Sequence, residues 1–290
     1  MPRTARIAAL ALVAGLGVVG APVLTADRPV ASERACLVVD SDVGLDDYRA
    51  LAALLPRREV RAVVVTEGIS GVHRGATAVS MFLAGRGSSP PVLPGLASPA
   101  PPDYDWLPAV RAGAERMNDF LRTAVPAASD PARLTRGVAA AVRGCGRVEV
   151  LVLGPWTSYP RYAHALGGDV RVVASGRPVA EHNPDNFNCA YDLAACRAAP
   201  RATYVDLPAA GFEPTADMVD RLEQAGLPGL LRASMLANPA GWAGTRLWDD
   251  AAALYLLEPG RFSREGAHLV PAVPEREFRD WFVDAVNKGR

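Results

Sequence analysis

Short apolar runs rich in β-branched residues alternate along the chain with stretches of helical periodicity. The apolar runs predict six strands: Cys36–Asp40, Val60–Thr66, Pro91–Pro94, Val148–Leu153, Val170–Ala174 and Ala202–Val205. The other stretches predict helices at Leu45–Leu55, Ala76–Ala84, Ala109–Thr123, Ala132–Val142, Ala190–Ala198, Ala216–Ala225 and Arg276–Asn287. Continuously apolar strands that alternate with helices are typical of a parallel sheet covered on both faces. We therefore predict a single α/β domain, residues 32–290, with a mostly parallel central sheet flanked by helices in a Rossmann-like core.

The first 26 residues have a different pattern. Arg3 and Arg6 precede an unbroken apolar run from Ile7 to Leu24, after which the chain turns polar. This layout predicts a signal peptide, residues 1–26, and export to a periplasm or to the extracellular space. The alternatives are an uncleaved membrane anchor, since the run is just long enough to span a bilayer, or a buried helix. Once the signal is removed, we expect no stable insertion into a membrane.

The charge balance limits the class of partner. The 290 residues include 31 Lys and Arg against 31 Asp and Glu, a formal net charge of zero. The chain therefore has no basic excess with which to bind a phosphate backbone, and nucleic acid is not an expected partner. A small molecule is the expected partner, and a homo-oligomer is left open.

Four cysteines, at positions 36, 145, 189 and 196, form no CxxC pair of the kind that binds structural zinc. Disulfides are permitted in an exported protein. Cys36 and Cys145 each open a predicted strand, and we expect them to pair. Cys189 and Cys196 lie seven residues apart on one segment. The alternative is four buried free thiols.

The strongest chemical signal is an acidic turn after the first strand. The eight residues Asp40-Ser41-Asp42-Val43-Gly44-Leu45-Asp46-Asp47 place four carboxylates between a strand and a helix. Four like charges so close together repel one another, and a bound hard cation with oxygen ligands would relieve that repulsion. The alternative, in which one aspartate caps the helix and the rest are solvated, accounts for only one or two of the four.

Three known acidic patterns compete for this turn. An EF-hand loop would need an acidic or amide residue where Gly44 stands and a Glu where Leu51 stands. A haloacid-dehalogenase phosphatase also begins with strand-Asp-x-Asp, in which Asp40 would be the nucleophile, but its fifth position is normally Thr or Val. The third pattern, Asp-x-Asp-x-Gly-x-Asp-Asp, is the signature of the inosine-uridine-preferring nucleoside hydrolases, and the sequence resembles it closely.

The resemblance to this family continues in the same order along the chain. Val152–Ser158 is similar to the family's strand followed by Gly-Pro-Leu-Thr-Asn, and Asn186–Asn188 is similar to its Glu-Phe-Asn. Trp248–Ala252 and Tyr255–Pro259 resemble the family's His-Asp-Pro-Leu-Ala and Tyr-Leu-Leu-Asp-Pro. Several ordered matches are far more specific than any one of them.

The resemblance implies a Ca²⁺-dependent hydrolase of N-glycosidic bonds in ribonucleosides, acting in ribonucleoside catabolism. The implied calcium ligands are Asp42, Asp47, the main-chain oxygen of Leu153, and Asp249. Asp42 would also take a proton from a metal-bound water, which attacks the anomeric carbon to give ribose and a free base. The residues implied to bind the ribose hydroxyls are Asp46, Asn186 and Asn188. Asp40 would support the turn without contacting the metal itself.

The sequence departs from the family pattern at positions implied to contact the substrate, whereas the implied metal ligands match the pattern. Glu67 stands where the family carries Gly-Asn, Asn186 replaces its Glu, and Trp248 replaces the His associated with protonation of the leaving group. His182 and Asn183 precede the presumed ribose-binding pair and are further candidates to line the substrate. These departures motivate an alternative function, a catalytically silent, metal-containing protein that binds a nucleoside or sugar.

Overall fold

The computed structural model describes residues 35–84, 89–119, 130–181, 186–199 and 201–288. The predicted signal peptide lies outside these ranges. The strands are β1 Cys36–Ser41, β2 Val60–Val65, β3 Val92–Pro94, β4 Arg147–Val152, β5 Asp169–Ser175, β6 Thr203–Val205, β7 Phe262–Glu265 and β8 His268–Pro271. The helices are α1 Leu45–Leu54, α2 Val72–Ala84, α3 Leu107–Asp119, α4 Pro131–Ala141, α5 Tyr159–Tyr162, α6 Phe187–Ala190, α7 Leu193–Ala198, α8 Ala216–Asp220, α9 Gly226–Ala237, α10 Pro239–Ala243, α11 Trp248–Leu257 and α12 Glu275–Asn287.

The strands form one eight-stranded sheet in the order β3-β2-β1-β4-β5-β6-β8-β7. Neighbouring strands are parallel except for the hairpin of β7 and β8. Strand β1 lies between β2 and β4. The chain therefore adds β2 and β3 on one side of β1 and then β4 and β5 on the other side. In open α/β sheets such a switch point leaves a crevice at the carboxyl ends of the strands, where ligands bind. The acidic turn directly follows β1 and therefore lies at this crevice.

Both faces of the sheet are covered, as the apolar strands predict. Leu37 and Val39 belong to a large core cluster with α1, α2, α11 and α12, whereas Val38 belongs to a second cluster with α4 and α5. Successive side chains of a strand point to opposite faces, so β1 is buried from both sides. The prediction of an α/β domain with a mostly parallel sheet is confirmed, and all six predicted strands are present within one residue at each end.

Two helix predictions needed correction, and several helices, α9 and α11 among them, were not predicted. The predicted helix Ala190–Ala198 is two short helices, because Asp192 caps the start of α7 by accepting a hydrogen bond from the amide of Ala195. The predicted helix Ala216–Ala225 ends at Asp220. Helix α11 was missed, since it is buried at nearly every position and has no polar stripe from which to recognise it.

The disulfide between Cys36 and Cys145 is present and joins the start of β1 to the segment before β4. A second disulfide joins Cys189 to Cys196, so all four cysteines are paired. Among the described helices, none combines the length and apolar character needed to cross a bilayer.

We expect the longer disulfide to contribute more to stability than the shorter one. Cys36 and Cys145 are 109 residues apart, and the other pair is seven apart. Because a cross-link that closes a longer loop restricts the unfolded chain more, the double variant Cys36→Ala/Cys145→Ala should lose about 2–5 kcal/mol of unfolding free energy. Chemical denaturation measures this loss. The variant Cys189→Ala/Cys196→Ala is the control, and a larger loss in that control would contradict the expectation.

Candidate active site

The acidic turn is a strained segment held by its own hydrogen bonds. Val43 has a φ of 60°, which is costly for a β-branched residue and occurs where the surroundings enforce it. Ser41 donates a hydrogen bond from its Oγ to Oδ1 of Asp47 (2.5 Å), and the amide of Gly44 donates to Oδ2 of the same side chain (2.7 Å). The amide of Val43 donates in turn to the Oγ of Ser41 (3.1 Å). Asp47 thereby joins the end of β1 to the start of α1.

Four carboxylates meet at this turn. One carboxylate oxygen from each of Asp46, Asp47 and Asp249 lies within 4.8 Å of the other two. Asp249 belongs to the first turn of α11 and completes the group, although it lies 202 positions after Asp47 in the chain. Asp42 is hydrogen-bonded to Asp47, and its Oδ2 accepts a hydrogen bond from the amide of Ile69 (2.9 Å). Asp42, Asp47 and Asp249 are buried, and Asp46 is half-buried.

Burial and mutual repulsion raise the pKa values of these carboxyl groups. Burial, followed by the charge of Asp47, raises the pKa of Asp42 well above its usual range and raises that of Asp46 to about 7. Burial, and then the charges of Asp46, Asp47 and Asp42, do the same to the pKa of Asp249. The pKa of Asp47 is also raised by burial, although hydrogen bonds oppose the rise. Burial and mutual repulsion therefore oppose the charged form of each of these carboxyl groups when no cation is bound.

Behind the turn, Asp40 accepts two hydrogen bonds and does not face solvent. Its Oδ1 accepts from the Oγ1 of Thr66 (2.5 Å), its Oδ2 accepts from the hydroxyl of Tyr162 (2.8 Å), and the side chain is fully buried. Burial raises the pKa of Asp40 to about 7. Asp40 thereby connects the ends of β1 and β2 to α5. Thr66 and Tyr162 were missed, since a lone polar residue beside an apolar run gives no signal.

Leu153 follows β4 and lies beside the acidic turn. The amide of Leu153 donates to the carbonyl of Asp40 (2.7 Å), which continues the pairing of β1 with β4. The next residue, Gly154, lies so close to Asp42 that a Cβ added there would be 2.7 Å from the Asp42 Cβ. The Nδ2 of Asn188 donates to the Leu153 carbonyl (2.6 Å) and to that of Ser175 (3.3 Å). The carbonyl and Asn188 are therefore neighbours at the crevice.

The other candidate residues have different surroundings. Asn186 is buried, and its Nδ2 donates to the carbonyl of Arg177 (2.7 Å). Trp248 is about one-third exposed (36%), and the guanidinium of Arg246 lies over its ring at 5.6 Å. Oε1 of Glu67 accepts a hydrogen bond from the hydroxyl of Tyr191 (2.8 Å). His182 and Asn183 lie outside the described residues.

A buried ion pair locks together the two helices that carry the carboxylates, and sequence reasoning missed it. The guanidinium of Arg49 on α1 donates from Nε and Nη2 to the carboxylate of Asp250 on α11, at 3.0–3.1 Å. Both side chains are fully buried, and Nη2 also donates to the carbonyl of Arg246 (2.7 Å). Breaking such a pair would leave an uncompensated buried charge. The available signal was a charged residue at position 49 within an otherwise apolar stretch of α1.

The chemistry of this donor set fits a hard divalent cation. The groups that converge here offer oxygen: one carboxylate oxygen from each of Asp46, Asp47 and Asp249 lies within 4.8 Å of the other two, and Asp42 is hydrogen-bonded to Asp47. Carboxylate and carbonyl oxygens are the ligands that Ca²⁺ and Mg²⁺ prefer. A bound cation would stabilise the charged carboxylates that burial and repulsion disfavour.

Comparison with known proteins identifies the fold. No family model and no curated protein matches the sequence. Solved structures do match: a purine-preferring ribonucleoside hydrolase from Gardnerella vaginalis has a TM-score of 0.63 and 15% identity, covering 88% of this chain and 98% of that chain. An inosine-uridine preferring nucleoside hydrolase from Bacillus anthracis has a TM-score of 0.59 and 18% identity, with 88% and 100% covered. The plant nucleoside hydrolase PpNRh1 has a TM-score of 0.66 and 14% identity, with 88% and 99% covered.

The chain therefore has the nucleoside hydrolase fold, and the resemblance that its motifs indicate is confirmed at that level. At identities of 14–18%, the likeness to these structures is one of fold.

The raised pKa values predict how stability depends on pH when a chelator is present. An aspartate in the unfolded chain has a pKa of about 3.9, whereas the pKa values of Asp40 and Asp46 in the folded protein are about 7. Between these values the folded state binds more protons, so its free energy of unfolding falls as the pH rises. Thermal denaturation in chelator should give a Tm that decreases from pH 5 to pH 7.

Added Ca²⁺ should reverse this trend, because the cation competes with protons for the same oxygens. The variant Asp249→Asn is the matched comparison and should respond more weakly to Ca²⁺. A Tm that rises with pH in chelator and does not respond to Ca²⁺ would contradict this account of the site.

Proposed function

We propose that the protein is a Ca²⁺-dependent nucleoside hydrolase that cleaves the N-glycosidic bond of ribonucleosides to give ribose and a free base. The observation that carries the proposal is the cluster of buried carboxylates at the switch point of a nucleoside hydrolase fold. A fold alone does not define an activity, and the converging oxygens supply the specific argument.

Asp42, Asp47, Asp249 and the Leu153 carbonyl would hold the cation. When bound, Ca²⁺ would neutralise these carboxylates and favour the hydroxide form of water at the site. The sequence motifs imply the same residues. The meeting of Asp47 on α1 with Asp249 on α11 supports the assignment of these two, and Asp46 lies in the same group of carboxylates.

Asp42 would serve as the general base. The amide of Ile69 donates a hydrogen bond to its Oδ2. The backbone at Gly68 and at Gly154 packs directly against the Asp42 side chain, because neither residue has a Cβ. A carboxylate positioned in this way would accept the proton from the attacking water as the C–O bond forms at the anomeric carbon. The bond from that carbon to the nucleobase breaks, and the departing base carries away the bonding electron pair.

Ribose would lie between α1 and the segment that contains α6. Asp46 and the Oδ1 of Asn188 would accept hydrogen bonds from its hydroxyls, and Asn186 would complete the ribose pocket. The positive charge that develops on the sugar in the oxocarbenium-like transition state would be stabilised by the surrounding carboxylates.

Export is part of the proposal. Residues 1–26 would direct secretion and be removed, and the domain of residues 32–290 would act outside the cytoplasm. Two disulfides are consistent with an oxidising compartment.

Two alternatives make different predictions. A phosphatase of the haloacid-dehalogenase type would use Asp40 as its nucleophile, but both oxygens of Asp40 accept hydrogen bonds and the side chain is fully buried. A catalytically silent nucleoside- or sugar-binding protein is favoured by Trp248, which stands where the family carries a His.

Release of free base and reducing sugar from a panel of purine and pyrimidine ribonucleosides tests the proposed activity. We expect release from at least one nucleoside, and we expect a chelator to abolish it. Removal of the general base in Asp42→Asn should lower kcat by about 10²–10⁴-fold. The control is Asp169→Asn, at the opposite end of the sheet, whose side chain is 72% exposed and which should retain full activity.

No release from any nucleoside by a protein that binds Ca²⁺ would instead favour the silent binding protein. Mg²⁺-dependent hydrolysis of p-nitrophenyl phosphate would favour the phosphatase.

A further inference from the structure

Arg111, on α3, reaches the loop that follows β2. Its Nη2 donates to the carbonyl of Gly68 (2.5 Å), and its Nε donates to the carbonyl of Ile69 (3.3 Å). The side chain is 28% exposed. Two hydrogen bonds from one rigid guanidinium to consecutive carbonyls fix the position of that piece of backbone.

The same loop holds Asp42. The amide of Ile69 donates to Oδ2 of Asp42 (2.9 Å), and the amide of Ser70 donates to its main-chain carbonyl (2.9 Å). Gly68 packs so tightly on this side chain that an added Cβ would lie 2.1 Å from Oδ2 of Asp42. A shift of the loop by a fraction of an ångström would therefore move the Asp42 carboxylate.

Glu67 supplies the charge that matches Arg111. Its Oε1 lies 3.5 Å from Nη2 of Arg111, and main-chain carbonyls alone cannot neutralise a guanidinium. The hydroxyl of Tyr191 lies between the two: it accepts from Nη2 of Arg111 (3.1 Å) and donates to Oε1 of Glu67 (2.8 Å). Burial raises the pKa of Tyr191 to about 12, so its hydroxyl keeps the proton that it donates.

Tyr191 connects this network to the other side of the crevice. It follows α6, whose Asn188 contacts the Leu153 carbonyl, and the disulfide of Cys189 and Cys196 brackets it in sequence. The group of Glu67, Arg111 and Tyr191 thereby joins α3, the loop after β2 and the segment of α6.

We propose that Arg111 is a positioning residue that orients Asp42 through Gly68 and Ile69, and that Glu67 acts as the counter-charge of Arg111 and not as a substrate ligand. This inference rests on the proposed function, in which Asp42 is the general base. It assigns a role to a carboxylate that the family pattern does not contain, because Glu67 stands where the motif has Gly-Asn.

Amide hydrogen exchange on the metal-free protein tests the structural half of the proposal without requiring activity. In Arg111→Gln, exchange at Ile69 and Ser70 should be about tenfold faster or more, because their hydrogen bonds to Asp42 open more readily. Arg61→Gln is the matched control: Arg61 also donates to a main-chain carbonyl, that of Ala141 (2.8 Å), but far from this loop. Unchanged exchange at Ile69 and Ser70 in Arg111→Gln would overturn the inference, whatever the wild type cleaves.

Kinetics on a nucleoside that the wild type cleaves test the catalytic half. Misplacement of the base without loss of a substrate contact should lower kcat about tenfold or more in Arg111→Gln and change KM by less than about twofold. Arg111→Lys should lower kcat less than Arg111→Gln does. Glu67→Gln should lower kcat little further when it is combined with Arg111→Gln, because the two residues act as a unit.

A raised KM with unchanged kcat in Arg111→Gln would make Arg111 a substrate ligand and overturn the proposal. A loss in Arg61→Gln equal to that in Arg111→Gln would also overturn it, since the effect would then be general destabilisation. Faster exchange in a protein that cleaves no nucleoside would support the positioning network and refute only the proposed activity.

Discussion

The repulsion among buried carboxylates at the end of β1 is the constraint on which the site depends. Asp42, Asp47 and Asp249 are buried and Asp46 is half-buried, so water screens their charges poorly and a compensating partner is needed for all four to be charged. Burial and repulsion raise the pKa values of these groups, and a bound cation would compensate their charges near neutral pH. The strained φ of Val43 shows that the fold accepts a local cost to maintain this arrangement.

The surrounding structure resists this repulsion from several sides. The pair of Arg49 and Asp250 ties α1 to α11, and Asp40 ties β1 to β2 and α5. In the loop after β2, the amides of Ile69 and Ser70 hold Asp42, while Arg111 holds the loop. Each of these contacts joins segments that are distant in sequence, so the geometry of the site is a property of the whole domain.

Sequence reasoning recovered what is encoded locally. Six of the eight strands in the described residues were predicted because each is a short apolar run, and the acidic turn stood out because four carboxylates fall within eight residues. Helix α11 was missed because it is buried on every side, and the pairing of Arg49 with Asp250 was missed because 201 residues separate the two partners. The links of Arg111 to Glu67 and Tyr191 were missed for the same reason, since long-range partners leave no pattern in a single sequence.

A crystal structure of the protein grown with Ca²⁺, with an anomalous difference map to locate the ion, tests the central claim most directly. We expect one peak with oxygen ligands at about 2.3–2.6 Å from Asp42, Asp47, Asp249 and the Leu153 carbonyl. No peak at this turn, or an ion bound only elsewhere in the protein, would contradict the claim.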